Sequence, residues 1–67
     1  MNKHVQESML RDLIAVRWGD NTFGTYFNHS HAVGKNNGLL AAEAVTPQQH
    51  TIISNLIASA FKHSVGA

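Results

Sequence analysis

The 67-residue chain has no cysteine, a single proline and few charged residues. Without cysteine it forms no disulfide framework, no thiolate zinc site and no cysteine nucleophile. No apolar run approaches the ~20 residues that a membrane-spanning helix needs. The polar start of the chain also does not have the apolar stretch of a signal peptide. The sequence therefore predicts one small cytoplasmic domain.

Charge is the scarcest feature of the sequence. Only 13% of the residues are charged, against ~25% in an average domain, so uncharged polar groups and alanine must cover much of the surface. For a chain of this length, burial of apolar surface contributes about 95 kcal/mol to folding, while ordering the chain costs about 100 kcal/mol. Because these two terms nearly cancel, we expect the protein to gain stability by self-association, most simply as a homodimer.

Apolar periodicity predicts a small, mainly α-helical bundle. In residues 3–17 the apolar side chains occupy one half of a helical wheel. Residues 47–63 form a second amphipathic pattern, which begins with Thr46 as N-cap, Pro47 in the first turn and Gln49 completing a capping box. We expect these two half-apolar helices to pack against each other.

The middle of the chain has weaker patterns. Residues 19–37 are rich in Asn, Gly, Ser and His with aromatic residues interleaved, which predicts an irregular segment. Residues 38–45 contain strong helix formers and predict a short helix. Strand alternatives compete with both. Residues 13–18 alternate in polarity before a Gly-Asp-Asn turn, so a strand is the alternative to a helix there. For residues 22–46 the alternative is a β-hairpin with 39–45 in its second strand, which would make the fold α+β.

Five histidines are many for so short a chain. His29 and His31 would lie on one side of an extended segment, where the two imidazoles form a chelating pair for zinc or nickel. Such a site needs further ligands, and no His-x3-His spacing supplies them. A histidine-based metal-binding module is therefore an alternative function, and no cofactor is expected.

Arg17, Trp18, Phe23, Tyr26 and Phe27 combine a cation with aromatic rings in a short stretch. Aromatic and arginine side chains concentrate binding energy at the centres of protein interfaces. The same side chains stack on bases in single-strand-binding proteins. However, five basic residues scattered along the chain and opposed by four acidic ones do not form a phosphate-binding cluster. We take these five side chains as candidate protein-binding residues, with a nucleic-acid-binding accessory protein as an alternative.

No catalytic motif is present in the sequence. The four carboxylates show no spacing typical of an acid–base pair, and neither a nucleophile elbow nor a phosphate-binding loop occurs. A chain of this length also rarely builds the ~300 Å³ pocket that a small substrate occupies. We therefore expect a non-enzymatic regulator or inhibitor that docks sterically on a partner protein.

Overall fold

The computed structural model describes residues 1–19 and 22–64, with residues 22 and 23 described by their backbone alone. Within these residues the chain forms three α-helices and no strand. They are α1 (Lys3–Arg17), α2 (Thr22–Ala41) and α3 (Pro47–Lys62). The predicted small helical bundle is confirmed, and none of the three helices is long and apolar enough to span a lipid bilayer.

The two terminal helices begin at capped residues. Asn2 Oδ1 accepts a hydrogen bond from the Val5 backbone N–H at 2.9 Å, at the start of α1. At the start of α3, the Gln49 N–H donates to Thr46 Oγ1 at 3.1 Å, and the Thr46 N–H donates to Gln49 Oε1 at 2.9 Å. These bonds satisfy backbone donors that a helix start leaves unpaired. The predicted capping box is confirmed, and the strand alternative for residues 13–18 is wrong.

The middle of the chain corrects the sequence-based prediction. A single helix, α2, runs from Thr22 to Ala41 in place of most of the irregular segment expected at 19–37 and of the separate helix expected at 38–45. Residues 20 and 21 of that segment lie outside the described residues. The β-hairpin alternative for 22–46 is also wrong, because this part of the chain contains no strand. The strong helix formers that begin the expected second helix are in fact the last turn of α2.

Beyond α2 the chain reverses through a left-handed residue. Glu43 has φ 58°. The Ala44 N–H donates to the Leu39 carbonyl at 2.8 Å, and the Glu43 N–H donates to the Leu40 carbonyl at 3.0 Å. These are the two bonds of a Schellman motif, in which glycine is the usual left-handed residue. This turn leads the chain back into α3.

Polar contacts position α2 against α1. Asn28 Nδ2 donates to the Ala15 carbonyl at 3.2 Å. About two turns further along α2, Lys35 Nζ lies 3.1 Å from Asp12 Oδ2 and also contacts Ser8 Oγ. Because the later residue of α2 pairs with the earlier residues of α1, the two helices are antiparallel.

Polar contacts also join α2 to α3. Asn36 Nδ2 donates to the His50 carbonyl at 3.1 Å and to Ser54 Oγ at 3.0 Å. Near the other end, the hydroxyls of Thr25 and Ser64 lie 3.3 Å apart. These contacts make α3 antiparallel to α2, so that α1 and α3 are parallel to each other.

The core lies along the line where the three helices meet. Its buried apolar side chains come mainly from the terminal helices: Met9, Val16, Ala32, Val45, Ile53 and Ile57. Among the described side chains of α2, only Ala32 belongs to this set, and the other buried ones are Thr25 and Asn36. The large apolar residues of α2 that pack on the core, Leu39 and Leu40, come near its end, so most of the helix lacks the apolar periodicity that marks α1 and α3.

Candidate protein-contact face between the first and last helices

Large apolar side chains lie exposed along the junction of α1 and α3. Leu10, Ile14 and Trp18 project from α1, and Ile52 and Leu56 project from α3. Each of the five residues is 49–59% exposed, and Trp18 has the highest value. We call these five residues the α1–α3 face.

Regular spacing explains why these side chains line up. On α1, an exposed stripe follows a spacing of four, three, four and three residues: Lys3, Glu7, Leu10, Ile14 and Arg17. On α3, the corresponding exposed stripe is Ile52, Leu56, Ser59 and His63. This spacing is that of the a and d positions in a coiled coil, which keeps side chains on one side of a helix. Each terminal helix therefore has one apolar stripe in the core and a second stripe on the surface.

Two open concavities lie in the α1–α3 face. The first has a volume of about 260 Å³ and is bordered by Ile14, Arg17 and Trp18 on one side and by Leu56 and Ser59 on the other. The second has a volume of about 220 Å³ and lies nearer the helix starts, beside Met1, Leu10 and Ile53. Leu13 and Leu56 border both concavities, so the two form one continuous depression.

The exposed area of the α1–α3 face is large for a chain of this size. From the exposed fractions, the five residues present roughly 550 Å² to solvent, near the upper end of the ~300–600 Å² found for the largest apolar patch of a typical monomer. The total accessible surface of the chain is 4439 Å². More than a tenth of the surface is therefore contributed by five apolar residues on one side.

Two of the five predicted binding residues belong to this side of the molecule. The Arg17 guanidinium carbon lies 5.4 Å from the centre of the Trp18 ring, within cation–π distance. Both side chains border the larger concavity. The structure thus places the predicted cation and indole together, beside apolar residues of α3.

The other predicted residues lie apart from that pair. Tyr26 packs edge-on against Phe61 at the junction of α2 and α3, with ring centres 5.2 Å apart. Phe27 is 64% exposed on the outer side of α2, and the side chain of Phe23 lies outside the described residues. The structure therefore divides the predicted group between two sides of the bundle, and a binding role for Tyr26, Phe27 and Phe23 stays a prediction.

Sequence reasoning missed Leu10, Ile14, Ile52 and Leu56 as surface residues. It placed them in the apolar halves of the terminal helices and expected them to be buried. A helical wheel shows that a half is apolar, but it does not show how much of that half the neighbouring helices cover. The signal in the sequence was the second stripe of four- and three-residue spacing on the same helix.

The structure separates His29 from His31. Because α2 is helical, residues two positions apart point about 200° away from each other. The His29 ring stacks on Phe61 with centres 4.2 Å apart, whereas His31 Nε2 lies 3.7 Å from Asp12 Oδ1. The predicted chelating pair is therefore wrong. Within the described part of the chain, no group of three His, Asp or Glu side chains is placed to hold a metal ion.

Comparison with known proteins adds no family assignment. No protein-family model, no curated protein and no solved structure matches this chain. A function must therefore be inferred from the chemistry of the surface.

Proposed function

We propose that this chain is a small, non-enzymatic cytoplasmic regulator or inhibitor that docks on another protein through the α1–α3 face. The observation that carries this proposal is the exposure of large apolar side chains along one continuous depression, which Leu10, Ile14, Trp18 and Leu56 border, with Ile52 exposed one turn before Leu56 on α3. An exposed apolar patch of this size is often functional, and larger ones typically mark contacts with other proteins.

The larger concavity has the composition of an interface centre. Trp18 and Arg17 border it, and these two residue types dominate the binding energy of protein interfaces. Ile14 and Leu56 form apolar walls, while the uncharged Ser59 lies at its edge. An apolar side chain of the partner would fill this depression, and the bound chain would act by covering the partner's surface.

Charge further defines the partner. Among the described residues that border the two concavities there is no acidic side chain, and Arg17 is the basic one. The surface that docks here is therefore expected to be apolar with an acidic group opposite Arg17. Such complementarity favours correct orientation more than it adds affinity.

The alternative functions have weaker support. Lys35 is paired with Asp12 at 3.1 Å, and the other basic residues are spread along the chain and do not form a phosphate-binding cluster. The metal-binding alternative has lost the histidine pair on which it depended.

Affinity capture with the tagged full-length chain, from lysate of the cells that produce it, tests the proposal. Ile14→Glu introduces a charge into the α1–α3 face and should remove a stoichiometric partner that the wild type retains. Val33→Glu is the matched control, because Val33 is an exposed apolar residue of α2 on a different side of the bundle. Retention of the same partner by wild type, Ile14→Glu and Val33→Glu alike would contradict docking through this face, as would the absence of any partner.

A further inference from the structure

The exposed stripe of α1 has opposite charges directly on either side of an apolar centre. Its centre is apolar, at Leu10 and Ile14. Glu7 lies on the N-terminal side of this centre and Arg17 on the C-terminal side, one step of the stripe from Leu10 and Ile14 respectively. From Glu7 to Arg17 the stripe therefore reads acidic, apolar, apolar, basic, which is complementary to itself when it is reversed, and Lys3 precedes this part of the stripe.

We propose that a second copy of this chain covers the α1–α3 face, in a two-fold dimer in which the two α1 helices cross antiparallel. The two-fold axis passes midway between Leu10 and Ile14. Leu10 then meets Ile14 of the partner subunit, and Arg17 meets Glu7 of the partner subunit. This inference rests on the proposed function, because it requires the α1–α3 face to be a protein-contact surface. It adds that a second copy of the chain is the protein bound there.

Charge determines the orientation. A parallel arrangement would place Arg17 against Arg17 and Glu7 against Glu7, and like charges across an interface are unfavourable. The antiparallel arrangement instead forms two symmetric ion pairs. Glu7 is available for this contact, because its present pair with Lys3 is 3.9 Å long and the Lys3 side chain is 85% exposed, and solvent weakens exposed pairs of this kind.

The size of the interface agrees with a dimer. Two copies of the α1–α3 face remove roughly 1,100 Å² of apolar surface from water, and the polar stripe ends bring the total into the ~1,200–2,000 Å² range of stable interfaces. Ile52 and Leu56 contribute through α3, which is parallel to α1 within each copy. The interface is thus formed by four helices, α1 and α3 of each subunit, and both α2 helices lie on the outside.

The dimer covers the surface proposed for docking on another protein. Self-association and docking therefore exclude each other, and the protein must dissociate before its partner binds. The strength of the dimer then sets the concentration of chains that are ready to dock.

Sedimentation equilibrium of full-length variants at low ionic strength tests the register. Wild type should be a dimer. Arg17→Glu and Glu7→Arg should each raise the dimer dissociation constant about tenfold, because each places like charges at two symmetric contacts. The double variant Arg17→Glu/Glu7→Arg should return it close to the wild-type value. Arg11→Glu is the matched control, since it makes the same charge change at an exposed α1 residue outside the stripe and should leave the constant unchanged.

A wild-type chain that stays monomeric up to millimolar concentration would overturn the dimer, and so would a double variant no better than the single ones. Circular dichroism of each variant shows whether the helices are retained. The two proposals fail separately. A monomeric wild type that still captures a partner through Ile14 removes only the dimer. If the double variant restores the dimer but the wild type captures no other protein, only the docking function is contradicted.

Discussion

The terminal helices and the middle helix bury opposite kinds of side chain. α1 and α3 turn large apolar residues such as Val16 and Ile57 inward and still leave others exposed on the α1–α3 face. α2 turns Thr25, Ala32 and Asn36 inward, and hydrogen bonds from its side chains reach both neighbours. Polar contacts thus add to the apolar packing of Leu39 and Leu40 in defining the position of α2.

This difference has a consequence for association. α2 leaves one side of α1 and α3 uncovered, because none of its described side chains borders the two concavities. The uncovered part lies on the α1–α3 face, where only a second molecule can cover it.

The largest effect is expected where apolar burial is complete. Ile57→Ala should lower the free energy of unfolding by about 2–5 kcal/mol, because Ile57 is 1% exposed and its loss leaves a cavity. Its neighbour Leu56 is 49% exposed, and Leu56→Ala should change the stability of the monomer by less than about 0.5 kcal/mol. Urea unfolding followed by circular dichroism in dilute solution measures both. Equal losses would show that the α1–α3 face belongs to the core.

The next effect concerns the polar packing of α2. Asn36→Ala should cost about 1–3 kcal/mol, since it removes the two hydrogen bonds that Asn36 Nδ2 donates to the His50 carbonyl and to Ser54 Oγ. Asn37 is the matched control, because it is exposed and makes a single contact, in which its Oδ1 accepts a hydrogen bond from His50 Nε2 at 2.8 Å. Asn37→Ala should be nearly neutral in the same unfolding experiment. If the two variants were equally stable, the hydrogen bonds of Asn36 would not hold α2 in place.

Glycines on the outer side of α2 should limit its stability. A Cβ added at Gly34 or Gly38 would meet no other atom within 4 Å, and neither glycine has a positive φ. Gly34→Ala and Gly38→Ala should each raise the unfolding free energy by about 0.5–1 kcal/mol, because alanine loses less backbone entropy on helix formation. Thermal unfolding measures the gain.

Gly19 provides the contrasting variant. A Cβ there would lie 2.7 Å from Thr25 Oγ1 and 3.3 Å from the Thr25 backbone, so Gly19→Ala should be destabilising. Stabilisation at Gly19, or destabilisation at Gly34 and Gly38, would be inconsistent with the described path of α2.

The smallest effect is expected at the end of α2. Glu43 adopts φ 58°, which costs a residue with a side chain about 1–2 kcal/mol relative to glycine before the extra entropy of glycine is counted. Glu43→Gly should therefore stabilise the protein by about 0.5 kcal/mol, whereas Glu43→Ala should not. Loss of stability in Glu43→Gly, measured by urea unfolding, would argue against the Schellman turn.

The terminal helices were predictable because their buried residues are large and apolar and their starts have capping residues. α2 was not, because Thr25, Ala32 and Asn36 look like surface residues in the sequence although they are buried. Its end was also hidden, since the left-handed position is occupied by Glu43 and not by glycine.

The candidate site was predictable only in part. Arg17 and Trp18 were found by residue type alone. Leu10 and Ile14 were not, because the amount of α1 that two neighbours cover depends on how closely α2 packs, and that depends on polar contacts between distant residues. Periodicity along one helix carries no information about these contacts.

Trp18 fluorescence tests the central claim most directly. It is the only tryptophan, it is 59% exposed in the single chain, and it lies on the α1–α3 face. As protein concentration rises, we expect its emission to shift to shorter wavelength and its quenching by iodide to fall, while Ile14→Glu keeps the emission of an exposed indole. Emission and quenching of a water-exposed indole at every concentration of the wild type would contradict the account.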